Sequence, residues 1–192
     1  MNIIEQVKNY KPYNEQEIKD KEYILYQLLN CKDIFYRENL DQHMTSSCWI
    51  VNKQRTKILL AYHNIFKSYA WLGGHADGEE DLIRVSLKEG KEESGLSNLK
   101  LLSNDIFSLE VLDVEPHYKK GKLVKKHLHL NVTYLIEADE NENLIVKEDE
   151  NSSLKWFDID SSLEYVNEKW MKENIYSKLN FKLKEFIKNE SN

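Results

Sequence analysis

The feature of the sequence that most restricts its fold is a glycine-rich loop followed directly by a helix that carries three glutamates. The loop spans residues 73–78, and the helix is predicted from about residue 81 to residue 94. Gly95 stands where a glycine commonly ends a helix. Apolar segments typical of β-strands lie on both sides of this run. A loop and helix inserted between strands indicate an α/β fold.

The other segments continue this alternation of strands and helices. Strands are predicted from apolar and β-branched runs at residues 47–51, 57–62, 99–102, 106–114, 127–137 and 154–157. Helices are predicted at about residues 14–30 and 165–188. This order predicts a mixed sheet between helices, with helical additions at both ends of the chain.

The composition agrees with a single folded domain. The chain has 192 residues, of which 41% are hydrophobic and 31% charged, as in ordinary globular proteins. Its formal net charge of -6 argues against a dedicated nucleic-acid binder, which usually carries an excess of basic residues. A small phosphorylated substrate is compatible with this charge, because a few local cations are enough to bind it.

The cysteines and the apolar runs exclude several other classes of protein. Cys31 and Cys48 form no CxxC pair, so the sequence predicts neither a zinc ribbon nor a disulfide framework. The N-terminal residues lack the apolar core of a secretory signal, and no run approaches the roughly 20 apolar residues of a membrane span. We therefore expect a cytoplasmic protein that binds neither membranes nor nucleic acid.

The three glutamates of the predicted helix have the spacing of a metal-binding face. Glu89, Glu92 and Glu93 are spaced i, i+3 and i+4, so they fall within roughly a 100° arc of the helix surface. Ile83 and Leu87 lie on the opposite side, which we expect to pack on the sheet. Like charges at this spacing repel, and a hard cation such as Mg²⁺ would reverse that cost. The helix alone leaves a solvated acidic face open as the alternative.

Loop and helix together closely resemble the Nudix box, G-x5-E-x7-R-E-U-x-E-E-x-G-U, in which U is a bulky aliphatic residue. Seven of its nine defined positions agree over 23 residues of this sequence. The segment reads Gly74-x5-Glu80-x7-Lys88-Glu89-Gly90-x-Glu92-Glu93-x-Gly95-Leu96. Lys88 replaces the arginine and keeps its charge without the planar fork, and Gly90 replaces an aliphatic residue. Neither departure removes a carboxylate.

The resemblance implies a Nudix-type α/β/α sandwich and a hydrolase that cleaves a phosphoanhydride bond with the help of Mg²⁺ or Mn²⁺. The implied Nudix core covers residues 45–160, between an N-terminal helical extension (1–44) and a C-terminal helical segment (161–192). The implied substrate is a nucleoside-diphosphate-linked or related small molecule. The implied catalytic residues are Glu89, Glu92, Glu93 and Lys88, and the choice of the general base stays open. The implied metal ligands are Glu89, Glu92, Glu93 and Gly73.

Five further residues are candidates for binding the substrate. Gly74 and His75 qualify by their place in the loop. His127 and His129 alternate with leucines, so they share one face of the predicted strand, and either a substrate cleft or a solvent-facing edge accounts for that face. Glu150 lies after the box, where several Nudix enzymes place an extra acidic ligand or base. An ordinary acidic loop explains Glu150 equally well.

A group of lysines around Gly121 predicts the tip of a hairpin. The group consists of Lys119, Lys120, Lys122, Lys125 and Lys126. A solvated tip is the ordinary explanation of such a group. An arm that attracts an anionic substrate is the alternative.

Two other functions share this fold. Isopentenyl-diphosphate isomerases carry a Cys-Gly-His segment at the corresponding loop, whereas this chain has Gly73, Gly74 and His75, so their catalytic cysteine is missing. A non-catalytic Nudix-like regulator that binds a nucleotide often loses glutamates of the box, and this chain keeps them. The substrate is not identified by any subgroup motif in the sequence, and a homodimer stays open.

Overall fold

The computed structural model describes residues 1–119, 121–147 and 151–190, with only the backbone of Lys119. The strands are β1 (Gln42–Asn52), β2 (Lys57–His63), β3 (Ser68–Ala70), β4 (Leu72–His75), β5 (Lys100–Leu101), β6 (Ser108–Val114), β7 (His117–Lys119), β8 (Lys122–Val124), β9 (His127–Ala138) and β10 (Asn151–Asp158). The helices are α1 (Ile3–Asn9), α2 (Glu15–Asn30), α3 (Leu82–Ser94), α4 (Lys169–Met171) and α5 (Ser177–Glu190). A mixed sheet with helices confirms the predicted α/β class.

The chain divides into two compact units, and β1, β4, α3 and β9 each contribute residues to both. The first unit comprises Met1–Cys48, Gly73–Glu89 and Ser103–Leu135. The second comprises Trp49–Leu72, Gly90–Leu102 and Ile136–Asn192. Within the described residues, none of the helices is both long enough and apolar enough to cross a membrane.

In the first unit, β9 pairs antiparallel with β6, from Ser108 opposite Thr133 to Val114 opposite His127. Strand β4 pairs with β1, and α2 packs on β6. Helix α1 begins at a capping box in which the Asn2 side chain accepts from the backbone of Glu5. Apolar side chains on α1 and α2 are buried, so both helices help to form the core of this unit.

In the second unit, β2 lies between β1 and β10 and also pairs with β3. Strand β5 pairs with the last residues of β9. The indole of Trp49 stacks on the ring of Tyr176, with the ring centroids 5.6 Å apart. Tyr176, Leu179 and Leu183 are buried, so the C-terminal helical segment supplies part of this core.

Several elements differ from the sequence prediction, and β3 is a short strand that was not predicted. Strand β1 begins at Gln42, five residues earlier than expected, because its first half is polar but the hydroxyls of Thr45, Ser46 and Ser47 donate hydrogen bonds inside the fold. Strand β4 occupies part of the predicted glycine-rich loop, since glycine weakens the strand signal without preventing pairing. Helix α1 was not predicted. The expected C-terminal helix is interrupted by a π-helical turn, Lys172–Tyr176, before α5.

Candidate active site

Both ends of α3 are fixed by local hydrogen bonds. The Asp81 carboxylate accepts from the backbone N–H of Ile83 at 3.1 Å and of Arg84 at 3.3 Å, as a residue that caps a helix N-terminus does. Gly95 ends the helix with a φ of 74°, and its N–H donates to the carbonyl of Lys91 at 2.8 Å. The predicted glycine stop is therefore confirmed, and the glutamates lie on a well-defined helix.

Two serine hydroxyls attach the first half of α3 to β1. Ser46 Oγ donates to the carbonyl of Leu82 at 2.7 Å, and Ser86 Oγ donates to the carbonyl of Ser47 at 3.0 Å. All of these atoms are buried in the first unit, where a hydrogen bond is expensive to break. These bonds fix the position of the helix turn that precedes Glu89.

The buried side of α3 differs from the expected one. Ile83 and Leu87, which we expected to pack on the sheet, are only half-buried. Glu89 and Glu93 are buried, with 9% and 5% of their surfaces exposed, whereas Glu92 is exposed. The helix is buried on the side that carries Leu82, Val85 and its two serines, and that side includes two of the three carboxylates.

The Glu89 carboxylate lies directly against the backbone of Gly74. A Cβ added at Gly74 would come within 2.6 Å of Glu89 Cδ and 2.7 Å of Glu89 Oε2. Lys88 Nζ lies 3.3 Å from Glu89 Oε1, with the lysine side chain 62% exposed and the glutamate side chain 12% exposed. Gly74 thus makes room for the carboxylate, and Lys88 pairs with it from the solvent side.

Gly73 is equally close to the backbone of β1. A Cβ at Gly73 would lie 2.6 Å from the carbonyl oxygen of Ser46 and 2.7 Å from Ser47 Cα. Both neighbours are backbone atoms of a buried strand and cannot move aside cheaply. The pair of glycines therefore lets β4 lie against β1 through Gly73 and against Glu89 through Gly74.

In the second unit, Glu93 contacts a residue that the sequence analysis missed. Asn151 is buried at the start of β10, and its Nδ2 donates to Glu93 Oε1 at 3.4 Å. The predicted substrate residue next to it, Glu150, lies outside the described residues. No motif or spacing in the sequence points to Asn151, apart from its place beside Glu150. Glu80, the remaining acid of the box, is exposed before α3.

These groups fit a hard divalent cation. Mg²⁺ binds oxygen ligands, and a buried carboxylate is expensive unless a cation or hydrogen bonds compensate its charge. Glu89, Glu92 and Glu93 offer carboxylates from one helix. The carbonyl of Gly73 is a further oxygen donor of the kind that Mg²⁺ accepts.

Four histidines of the first unit form a second group, the histidine cluster: His43, His75, His127 and His129. Their ring centroids lie between 4.9 and 5.1 Å apart in five pairs. One ring nitrogen each from His43, His75 and His129 lies within 4.8 Å of the others. The structure therefore brings together all three histidines predicted from sequence and adds His43, which lay in a segment with no motif.

The environment of the cluster disfavours charged rings. Burial lowers the pKa of His43, and the neighbouring His127 lowers it further. Burial also lowers the pKa of His129 well below its usual value, with His75, His43 and His127 adding to the effect. His127 is itself buried, at 8% exposure, so a solvent-facing strand edge does not describe this part of β9.

The next polar residue on the same face of β9 holds the strands together. Thr45 Oγ1 and Ser47 Oγ donate to Asn131 Oδ1 at 3.0 and 2.9 Å. Asn131 Nδ2 in turn donates to Glu110 Oε2 at 3.1 Å. This buried network fixes β9 beside β1 and so sets the spacing between the histidines of the two strands.

The lysine hairpin is formed by β7 and β8, as predicted, with Gly121 at a φ of 77°. Lys126 pairs with Asp113 at 3.0 Å and with Glu115 at 3.2 Å. Lys120 and the side chain of Lys119 lie outside the described residues. Pairing of Lys126 with acids of its own surface weakens the case for an arm that attracts substrate.

A surface cleft of about 560 Å³ lies in the second unit, lined by Lys53, Lys100, Glu137 and Asp139 among others. Lys53 Nζ pairs with Asp139 at 2.8 Å there. None of the residues predicted for the active site is among its described lining residues. We therefore do not assign it to the reaction.

The NUDIX domain family model matches residues 41–178, and the chain belongs to this family. This match, with a glutamate-bearing helix that follows a Gly-Gly strand in an α/β fold, identifies the class of protein as a pyrophosphohydrolase, an enzyme that hydrolyses a diphosphate bond. No curated protein matches the sequence.

Solved structures of similar fold agree with the family. A C. elegans Ap4A hydrolase in a binary complex has a TM-score of 0.56 at 18% identity, over 76% of this chain and 98% of its own. The M. smegmatis Nudix hydrolase RenU has a TM-score of 0.51 at 13% identity, over 71% and 83%. A NUDIX family hydrolase from Clostridium perfringens has a TM-score of 0.50 at 24% identity, over 75% and 97%. At these identities the similarity shows the fold alone.

Proposed function

We propose that this chain hydrolyses a phosphoanhydride bond in a nucleoside-diphosphate-linked or related small molecule, and that it requires Mg²⁺, for which Mn²⁺ can substitute. The observation that carries the proposal is the burial of Glu89 and Glu93 on α3. Two buried carboxylates and an adjacent third are costly on a helix that binds no cation. The same arrangement is favourable when a divalent ion neutralises them.

The proposed ligands of the ion are Glu89, Glu92, Glu93 and the carbonyl of Gly73. Bound Mg²⁺ would neutralise phosphate charge and make a bound water more acidic. Gly74 leaves space for the Glu89 carboxylate, and Asn151 donates to Glu93. Before any substrate arrives, the bond from Asn151 restrains the Glu93 carboxylate, and the missing Cβ of Gly74 leaves room for that of Glu89.

The chain supplies the proton acceptor and its orientation. One of the three glutamates accepts the proton of the water that attacks phosphorus. Lys88 pairs with Glu89 and restrains its carboxylate as a point charge.

Substrate contacts are assigned to Gly74, His75, His127, His129 and Glu150. Support for the histidines comes from their grouping on β4 and β9 in the first unit. Neutral imidazoles can contact a phosphate oxygen or a sugar hydroxyl directly or through an ion that they bind. The part of Glu150 rests on its sequence position alone.

The setting of the reaction is part of the same proposal. A net charge of -6 suits a small-molecule substrate better than nucleic acid. Cys31 and Cys48 are both free thiols, which agrees with the reducing cytoplasm. We propose a cytoplasmic enzyme, and sedimentation measurements test whether it forms a homodimer.

A substrate screen tests the proposal. Purified protein is incubated with nucleoside triphosphates, ADP-ribose, dinucleotides and nucleotide sugars, with Mg²⁺, with Mn²⁺ or with a chelator, and release of phosphate or nucleoside monophosphate is measured. At least one compound should be hydrolysed only with metal. Absence of metal-dependent hydrolysis across the screen, by protein shown to be folded, would reject the proposal.

A further inference from the structure

We infer that His43, His75 and His129 form a binding site for a transition-metal ion of the zinc class, built from imidazole rather than from the carboxylates of α3. Zn²⁺ and similar ions prefer imidazole nitrogen, whereas Mg²⁺ prefers oxygen. Three histidines are a common ligand set for such an ion and leave a fourth position for water or another ligand.

The distances agree with this assignment. Two nitrogens bound to one Zn²⁺ at about 2.0–2.1 Å, in tetrahedral geometry, lie about 3.4 Å apart. The three ring nitrogens lie within 4.8 Å of one another. Contraction to the bound geometry therefore needs only small rotations of the rings. Two of the three residues are half-buried, which leaves room for this adjustment and for entry of an ion.

In the described part of the chain, one ring nitrogen of His43 has no partner for its lone pair. Its Nδ1 lies 2.9 Å from the carbonyl of Asn39, and because a carbonyl only accepts, Nδ1 must donate. In the neutral ring, Nε2 then carries the lone pair. Nε2 is buried, and no group in the described part of the chain hydrogen-bonds to it. A metal ligand whose other nitrogen donates to a backbone carbonyl has this arrangement.

His127 orients His129 by the same reasoning. His127 Nδ1 lies 2.8 Å from the carbonyl of Lys125 and therefore donates to it. With both rings neutral, His127 Nε2 accepts across the 3.1 Å contact with His129 Nε2. His129 Nε2 is then the donor, and Nδ1 of His129 keeps its lone pair for the metal. His127 is thus a positioning residue in this site.

An acid and a base lie beside the cluster. Asp77 acts electrostatically on His43 and His75, and Arg37 acts on His43 with the opposite sign. Asp77 is paired with Arg37, and both side chains are about half exposed. The acid can therefore turn toward an added positive charge without leaving a buried arginine unpaired.

Zinc titration tests the site. Metal-free protein is titrated with Zn²⁺ against a coloured chelator, in excess Mg²⁺ so that hard oxygen ligands are occupied. Wild-type protein should bind one Zn²⁺ per chain. His75→Gln and His129→Gln should weaken binding at least about tenfold, and His127→Gln by about tenfold, as loss of an orienting partner does.

Matched controls locate the ion. His63→Gln also removes one imidazole, from β2 in the second unit, and should bind Zn²⁺ like wild type. Glu92→Gln should do the same, so the zinc site can stand even if the hydrolase proposal fails. Retained binding in both His75→Gln and His129→Gln, or loss of binding in Glu92→Gln alone, would overturn the inference.

A second measurement needs no variant. Co²⁺ added to wild-type protein should give the strong visible absorption of a four-coordinate site with nitrogen ligands, and Zn²⁺ should displace it. Circular dichroism of each variant shows whether it is folded before its affinity is compared. Weak absorption typical of Co²⁺ held by water and carboxylates would contradict a histidine site.

Discussion

The glutamates of α3 and the histidine cluster differ in the chemistry of their ligands and in how far apart those ligands lie in the sequence. Three carboxylates come from five consecutive residues of one helix, and each is a hard oxygen donor. Four imidazoles come from β1, β4 and β9, separated by up to 86 residues in sequence between His43 and His129. The three carboxylates repel one another when no cation is bound, whereas neutral imidazole rings carry no charge and do not. We expect metals to discriminate between them by ligand chemistry.

The two sets of ligands should also respond differently to substitutions. The carboxylate set depends on the rotamers of single side chains, which Gly74, Lys88 and Asn151 restrain. The histidine set depends on strand pairing, which the Asn131 network fixes. Substitutions near the glutamates should therefore lower Mg²⁺-dependent turnover with little effect on the fold. Substitutions near the histidine cluster should have a larger effect on the fold.

The largest effect is expected from removing the charge of a single box glutamate. Glu92→Gln and Glu93→Gln should each lower turnover by at least about a hundredfold, roughly 2.7 kcal/mol of barrier, because each loses a proposed ligand. Turnover and the Mg²⁺ concentration for half-maximal rate are measured on the best substrate of the screen.

Glu22→Gln is the control for these variants, since Glu22 is an exposed glutamate on α2. It should leave both quantities unchanged. Unchanged turnover and Mg²⁺ dependence in both box variants would remove the metal role from this helix. In that case only the histidine cluster would remain as a proposed metal site.

A smaller effect separates the two glycines of β4. Gly74→Ala places a Cβ against the carboxylate of Glu89, the far end of a side chain that can move. The protein should fold with little loss, but the displaced carboxylate should raise the Mg²⁺ concentration for half-maximal rate by about tenfold.

Gly73→Ala is the matched change, and it should affect the stability of the fold more than the Mg²⁺ dependence. Its Cβ meets backbone atoms of Ser46 and Ser47, so the strand itself must shift. We expect a loss of about 1–3 kcal/mol in the free energy of unfolding, measured by denaturant titration. Equal effects of both substitutions on stability and on Mg²⁺ dependence would show that the glycines do not play separate parts.

Local pattern predicted much of the fold. The bounds of α2, α3, β2 and β6 lie within a few residues of the expected ones, because each has a clear period or a capping residue. Polar β1 and glycine-containing β4 were underestimated, since long-range pairing stabilises them. The division into an extension, a core at 45–160 and a terminal segment remains a prediction.

More of the glutamate site than of the histidine cluster could be predicted from the sequence. The spacing of the Nudix box identified Glu89, Glu92 and Glu93, and the same residues predicted their helix. His43 could not be found this way, because its neighbours in space are distant in sequence. Asn151 was missed for the same reason, and so was the burial of Glu89 and Glu93, which depends on which side of α3 packs.

Asn151 offers a smaller and more selective change. Asn151→Ser should remove the donor to Glu93, a long contact worth about 0.5–1.5 kcal/mol, and slow turnover about two- to tenfold. The loss should be greatest at low Mg²⁺, because a bound ion restrains Glu93 by itself. Asn174→Ser, at an exposed amide, is the control. A loss independent of Mg²⁺ would assign Asn151 to substrate binding instead.

The smallest effect is expected at Lys88. Its Nζ lies 3.3 Å from Glu89, but the lysine side chain is 62% exposed, and such pairs contribute at most about 1 kcal/mol. Arginine keeps the charge and can hold two oxygens at once, so Lys88→Arg should leave turnover equal or raise it about two- to fivefold. Lys91→Arg, at an exposed position of α3, should change nothing. A decrease of more than about tenfold, roughly 1.4 kcal/mol, would mean that Lys88 acts on something other than Glu89.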